Sequence, residues 1–323
     1  MPTNQFPYPR KSSNPSPYVS TRATAYHRQR TWRTFVPLLL SGGALICLLY
    51  FILGGSSSSN LEGRAIVPGK GPPVVIVTTI DDSLQPAFVN TIKENRKDYA
   101  ARHGYVTFFP NTTDYDLSSA PRSWSTIPAI RHAMSMYPQT PWVWYLTSTA
   151  LIMDTRESLN KKILAPAKLE SLMLVDKPVV PPDSVIKTFS HVKPERIDLI
   201  LSQDKEGLAG GSMLVRNGEW AKYFLDSWFD PLFRSYNFQK AEAHALEHIV
   251  QWHGTVLAKL ALVPQRIINS YAVAKTDAGG AYQEGDFIAN FHGCAREKGR
   301  NCEEEMRPML SRWRELRDGE RRR

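Results

Sequence analysis

Apolar positions change their spacing several times along the chain, and each change marks an element. Val74-Val-Ile-Val-Thr-Thr79 is a continuous run of the length of one fully buried strand. From Pro86 to Arg102 the apolar positions recur at three and four, which predicts an amphipathic helix. His103-Gly104 ends that pattern as a turn, and Tyr105 to Phe109 predicts a second strand, so the segment opens as a β-α-β unit. A helix at Ser125 to Tyr137 leads into a buried strand at Trp142 to Leu146, which runs into the polar turn Thr147-Ser148-Thr149. Further along, the pattern predicts a strand at Ser212 to Val215, helices at Glu219 to Trp228 and Gln239 to Trp252, and strands near Leu260 to Val263 and Phe287 to Phe291. Between them, 155–197 is proline-rich and aperiodic, the pattern of an irregular crossover. This alternation predicts an α/β domain over 73–305 with a mostly parallel sheet flanked by helices and ligands held beyond the carboxyl ends of the strands. The end of the chain, 306–323, is a charged, helix-like tail expected to present a solvated face.

Ahead of the domain, Phe35 to Gly54 is an uncharged apolar segment of about 20 residues, enough to cross a hydrocarbon core of about 30 Å. The preceding arm is too long for the n-region of a signal peptide, and no A-x-A-like site follows, so an uncleaved transmembrane helix is expected. Residues 55–72, rich in Gly and Ser, read as a flexible stalk. Basic residues on the N-terminal side, and none in Ser56-Ser-Ser-Ser-Asn60, place the tail 1–34 in the cytosol and the domain in a lumen.

The net charge of +9 first points to nucleic acid. Six basic residues and no acid fall within 1–34, however, and without them the excess drops to +3. With no basic stripe interleaved with aromatics in the body, a nucleic-acid partner is not expected. Asn111-Thr112-Thr113 is a glycosylation acceptor sequence, meaningful if the domain is lumenal. Cys294 and Cys302 are close enough to close a short loop as a disulfide in an oxidising compartment. A zinc pair is the rival, disfavoured because no second ligand pair at the right spacing accompanies it.

Six segments together resemble glycosyltransferase family 34, which includes fungal Golgi α-1,6-mannosyltransferases, yeast α-galactosyltransferases and plant xylosyltransferases. They are Asn95 to Gly104, Trp124 to Arg131, Trp144 to Met153, Gln203 to Leu208, Arg216 to Trp220 and Asn290 to Cys294. The nearest likeness is to the mannan polymerase subunits. It implies a GT-A-like fold, a single-pass type II Golgi membrane protein, and retaining transfer of mannose from GDP-mannose to an N-glycan acceptor within a hetero-oligomer of mannosyltransferase subunits.

Carried over residue by residue, the resemblance departs at the chemistry. The family's Asp-x-Asp falls on Thr147-Ser148-Thr149, and its third metal ligand, a His, falls on Asn290. A basic position falls on Thr126 and an Asn on Ala209, followed by Gly210, while Glu242 matches an acidic position facing the acceptor. The family uses Mn²⁺, but neutral hydroxyls and an amide offset the dehydration of a hard cation poorly, so no metal cofactor is predicted. Thr78, Thr79, Arg131, Thr147, Ser148, Thr149, Ala209 and Gly210 are the expected donor-binding residues, and Arg122, Arg131 and Lys205 the expected cations toward the leaving diphosphate.

The expectation is therefore a subunit of an α-1,6-mannosyltransferase assembly whose own catalysis is weak or absent. The alternative is an active, metal-independent retaining transferase using GDP-mannose or UDP-galactose. The aromatic run from Trp220 to Phe238 is expected to enter the core for the most part, with the remainder forming a subunit contact. A rival of another class is His244-Ala-Leu-Glu-His248, the pattern of an inverted zinc metalloprotease helix, which needs a third ligand from elsewhere.

Overall fold

The computed structural model describes residues 71–323, apart from 181–183, 237, 273–278 and 322–323. The predicted cytosolic tail, the membrane anchor at 35–54 and nearly all of the stalk lie outside the described residues. Among the described residues, no helix is long and apolar enough to cross a membrane.

The strands are β1 (Val74–Val77), β2 (Val106–Phe108), β3 (Trp142–Leu146), β4 (Ala150–Ile152), β5 (Leu199–Gln203), β6 (Leu208–Arg216), β7 (Leu260–Val263), β8 (Ser270–Tyr271) and β9 (Ile288–Asn290). The helices are α1 (Pro86–His103), α2 (Thr126–Met136), α3 (Pro166–Leu172), α4 (Glu219–Trp228), α5 (Pro231–Ser235), α6 (Ala241–Trp252), α7 (Gly254–Leu257), α8 (Gln265–Ile268) and α9 (Cys302–Arg321). Six strands form the main sheet in the order β2-β1-β3-β6-β5-β7, and β4-β9-β8 form a second, small sheet. In the main sheet only the pairings of β6 with β3 and with β5 are antiparallel, so five strands run one way and the sheet is mixed but mostly parallel.

Local sequence accounts for most of these elements. Every residue of β1, β3 and β7 is buried, as an apolar run covered by helices on both faces requires. Pro86 opens α1, where its missing N–H costs nothing, and Gly104 closes it at φ 67°, donating to the Ala100 carbonyl. In α4 the buried residues Ala221, Phe224, Leu225 and Trp228 repeat at three and four.

The structure departs from expectation in four places. The segment 155–197 is less irregular than its prolines imply, because Pro166 starts α3. Strand β5, absent from the sequence reading, pairs between β6 and β7. The strand expected at 287–291 belongs to the small sheet rather than the main one. The charged tail is not free of the domain: Met306, Leu310 and Trp313 of α9 are buried with Phe88, Ile92 and Phe291. Those three sit at spacings of four and three, an apolar stripe hidden among charges. Of the aromatic run, Phe224 and Trp228 are buried, whereas Tyr223 and Tyr236 are exposed.

Candidate functional site

A cleft of about 430 Å³ opens at the carboxyl ends of β1 and β3, which are parallel neighbours. The polar turn after β3 forms its floor. A break in register between β5 and β6 supplies one wall: Leu201 pairs with Met213 but Ser202 with Ala209, so the residues between bulge outward. Gly211 on that bulge accepts from the Thr147 N–H at 2.8 Å, which brings Ala209 and Gly210 to the cleft.

Thr147, Thr149 and Asn290 converge. The hydroxyls of Thr147 and Thr149 are 3.4 Å apart, Thr149 donates to Asn290 Oδ1 at 3.2 Å, and Asn290 Nδ2 donates to Asn269 Oδ1 at 2.8 Å. Asn269 Nδ2 returns the chain to the Ala209 carbonyl at 3.4 Å. Neutral side chains thus satisfy one another across the place where three family ligands would meet, and no carboxylate enters. This donor set does not fit a hard divalent cation. Nor do the described residues contain a group of three or more His, Cys, Asp or Glu able to hold a metal.

Behind the turn lies Arg96, a fully buried arginine that donates to the carbonyls of Thr147 at 2.8 Å and Ala150 at 2.6 Å and to Asn95 Oδ1 at 3.0 Å. Burial pulls its guanidinium down to about 9. Sequence reasoning passed over it, although a cation on the inward stripe of α1, beside Ile92 and Tyr99, is a legible signal.

Glu242, on the first turn of α6, lines the cleft and accepts from the Ser123 hydroxyl at 2.5 Å. Burial raises its carboxyl above the ordinary range, against the pull of Ser123. Glu247, one turn on, is buried, accepts from the Leu208 N–H at 3.2 Å, and is raised by burial while Lys240 opposes. Thr79 meets the Tyr145 hydroxyl at 3.2 Å, and Thr126 donates to the same oxygen at 3.0 Å. Across the cleft, Tyr271 donates to Asp204 Oδ2 at 2.7 Å and stacks on His292 with ring centroids 4.7 Å apart.

Of the expected site residues, the structure gathers Thr79, Thr147, Ser148, Thr149, Ala209, Gly210, Glu242 and Asn290 at this cleft. Two expected donor residues are elsewhere. Thr78, just beyond β1, is fully buried and donates its hydroxyl to the Leu146 carbonyl at 2.7 Å, and it does not line the cleft. Arg131 lies on the outer face of α2 and pairs with Asp226 of α4 at 3.3 Å. Of the expected cations, Arg122 lines the cleft, whereas Lys205 does not. Cys294 and Cys302 are disulfide-bonded. Asn111 is exposed at the start of a short 3₁₀ turn. His244 and His248 are exposed on α6 against Phe238 and Phe233, and among the described residues no third ligand joins them.

Residues 70–302 match the model of the galactosyl transferase GMA12/MNN10 family. An uncharacterised α-1,2-galactosyltransferase of Schizosaccharomyces pombe is 31% identical over 265 residues, 78% of this chain and 80% of the relative. A probable α-1,6-mannosyltransferase of Saccharomyces cerevisiae is 30% identical over 262 residues, 74% of this chain and 61% of the relative. Among solved structures, a glycosyltransferase involved in glycosylation of the major capsid of PBCV-1 is similar in fold, with a TM-score of 0.50 at 11% identity over 74% of this chain and all of that one. That likeness bears on the fold alone, a mixed α/β glycosyltransferase sheet.

Proposed function

Since the chain belongs to the galactosyl transferase GMA12/MNN10 family, glycosyltransferase family 34, whose members imply a nucleotide-sugar donor and a glycan acceptor, we propose that it is a Golgi subunit of an α-1,6-mannosyltransferase assembly that extends mannan on N-glycans. In this reading its own turnover is weak or absent. The single observation that carries it is the closed, neutral hydrogen-bonded chain from Thr147 through Thr149 to Asn290. A diphosphate leaving group needs compensating charge, and these side chains supply none.

The rest of the reading has its own supports. Thr79, Thr147 to Thr149, Ala209 and Gly210 would contact the donor and Glu242 would face the acceptor, a reading supported by all of them lining one cleft. Phe35 to Gly54 would anchor the chain in the Golgi membrane with the domain in the lumen. The Cys294–Cys302 disulfide suits an oxidising lumen, and exposed Asn111 suits glycan attachment there. The mannosyltransferase relative supports mannose as the transferred sugar, and GDP-mannose is its donor in this reading.

Calorimetric titration of GDP-mannose into the full-length chain, with and without Mn²⁺, tests the metal argument: the affinity should be the same in both, and metal-dependent tightening would overturn it. A second reading, an active metal-independent transferase using GDP-mannose or UDP-galactose, is favoured by the galactosyltransferase relative and by a cleft that retains Glu242. Sugar transfer in EDTA from either donor would establish it.

A further inference from the structure

If a nucleotide sugar enters this cleft, which rests on the reading above, its diphosphate must find positive charge without a divalent ion. Among the described residues, three cations line the cleft: Arg122, Lys240 and Arg296. Arg122 is bound to Asp81 at 2.5 Å. Lys240 donates to the Glu206 carbonyl and lies 3.8 Å from Glu247. Arg296 forms no ion pair with an acid among the described residues; its side-chain hydrogen bond there is Nη2 to His292 Nε2 at 3.3 Å.

We propose that Arg296 is the diphosphate-binding residue of a metal-independent donor site, its guanidinium taking the place of the missing cation. The geometry favours it over a chance surface arginine in three ways. First, its loop is fixed. The Cys294–Cys302 disulfide spans it, Arg300 donates to the His292 carbonyl at 2.8 Å, and Gly293 turns it at φ 81°, where an added Cβ would lie 2.4 Å from Glu297. Second, its hydrogen-bond partner is oriented: the His292 ring is stacked on Tyr271, whose hydroxyl donates to Asp204. A guanidinium can only donate, so the His292 ring nitrogen accepts from Nη2 at 3.3 Å, and that bond uses one of the five guanidinium N–H groups. Third, its charge reaches the reacting region, drawing the Glu242 carboxyl downward against burial. A planar fork with five donors suits a diphosphate better than any other side chain in the cleft.

The test is calorimetry on the full-length chain in EDTA, with GDP and UDP as probes and their nucleosides as controls. The wild type should bind at least one diphosphate. Arg296→Ala should weaken that binding by at least about tenfold while leaving nucleoside binding unchanged. Arg296→Lys should recover part of it, and Arg312→Ala, outside the cleft, should match the wild type. Unaltered far-ultraviolet dichroism and melting temperature would show that each variant is folded. Diphosphate binding by the wild type in EDTA that survives Arg296→Ala would sink the role of Arg296 and leave the donor cleft standing. Binding only with Mn²⁺ would sink it by restoring the metal. Failure to bind either diphosphate under any condition would remove the donor-site reading, and the proposal with it.

Discussion

Arg96 donates to the carbonyl oxygen of Thr147 at 2.8 Å, so a guanidinium shut away from solvent carries the turn that closes the floor of the cleft. The same nitrogen reaches the Ala150 carbonyl, and the two bonds fix both ends of that turn. Shape at the floor is thus set from the core side, independently of any metal. Arg96→Met would take the guanidinium donor from the buried Ala150 carbonyl, costing about 1–3 kcal/mol, would leave the Thr147 carbonyl with only the Ala150 N–H, and would recover part of the cost of burying the charge. A net loss of about 2 kcal/mol in urea unfolding is expected. Unchanged stability would mean the turn holds itself.

Restoring the anionic cradle is the complementary experiment. Thr147→Asp, Thr149→Asp and Asn290→His together should create Mn²⁺ binding, measurable by calorimetry, because the three side chains already meet through Thr149. Each single change should gain little, since one charged ligand does not offset dehydration of the ion. A triple variant with no affinity would show that convergence in this fold is insufficient.

Helix α9 is predicted to act as part of the domain rather than as an appendage. Trp313 is almost fully buried, and the Arg317 guanidinium lies 4.9 Å from its ring centroid. Trp313→Ala should cost about 3–5 kcal/mol by chemical denaturation. Arg307→Ala, an exposed neighbour on the same helix, should cost within about 0.5 kcal/mol. Equal effects from the two substitutions would return α9 to the status of a solvated tail.

Asp154 gives the fold a dependence on acid. Burial alone would raise its carboxyl, but Arg156 and Lys162, both at 2.8 Å, outweigh burial and hold it at about 2 against an ordinary 3.8. A carboxyl depressed in the folded state contributes stability above its unfolded value and loses that contribution as pH falls through the folded one. Asp154→Asn should therefore cost about 1 kcal/mol at pH 6, after allowing for solvent screening. The gap to wild type should close between about pH 4 and pH 2 in urea titrations. A gap independent of pH would assign the loss to packing.

Periodicity alone delivered most of the scaffold because its signals are local. Apolar runs marked β1, β3 and β7, and the Pro86 and Gly104 boundaries marked α1, since burial on both faces and helix ends leave their trace within a few residues. The expected site residues split where local signals stop. Thr79 and Thr147 lie at strand ends, which a parallel sheet gathers on one side, whereas Arg131 was read from its motif without regard to the helix face that carries it away toward Asp226. Strand β5 escaped because it follows a proline-rich stretch and is recognised only by its partners β6 and β7.

The sequence by itself determined that this chain is built as an α/β glycosyltransferase domain and that Asp-x-Asp is replaced by Thr147-Ser148-Thr149, both being matters of residue type and spacing along the backbone. Only the tertiary structure decided that Asn290, some 140 positions away, completes a hydrogen-bonded chain with those threonines, that Arg122 and Lys240 are already engaged, and that Arg296 lines the cleft beside His292. Which charge is neutralised and which is left over depends on distances of a few ångströms between segments remote in the chain, and no local pattern encodes those.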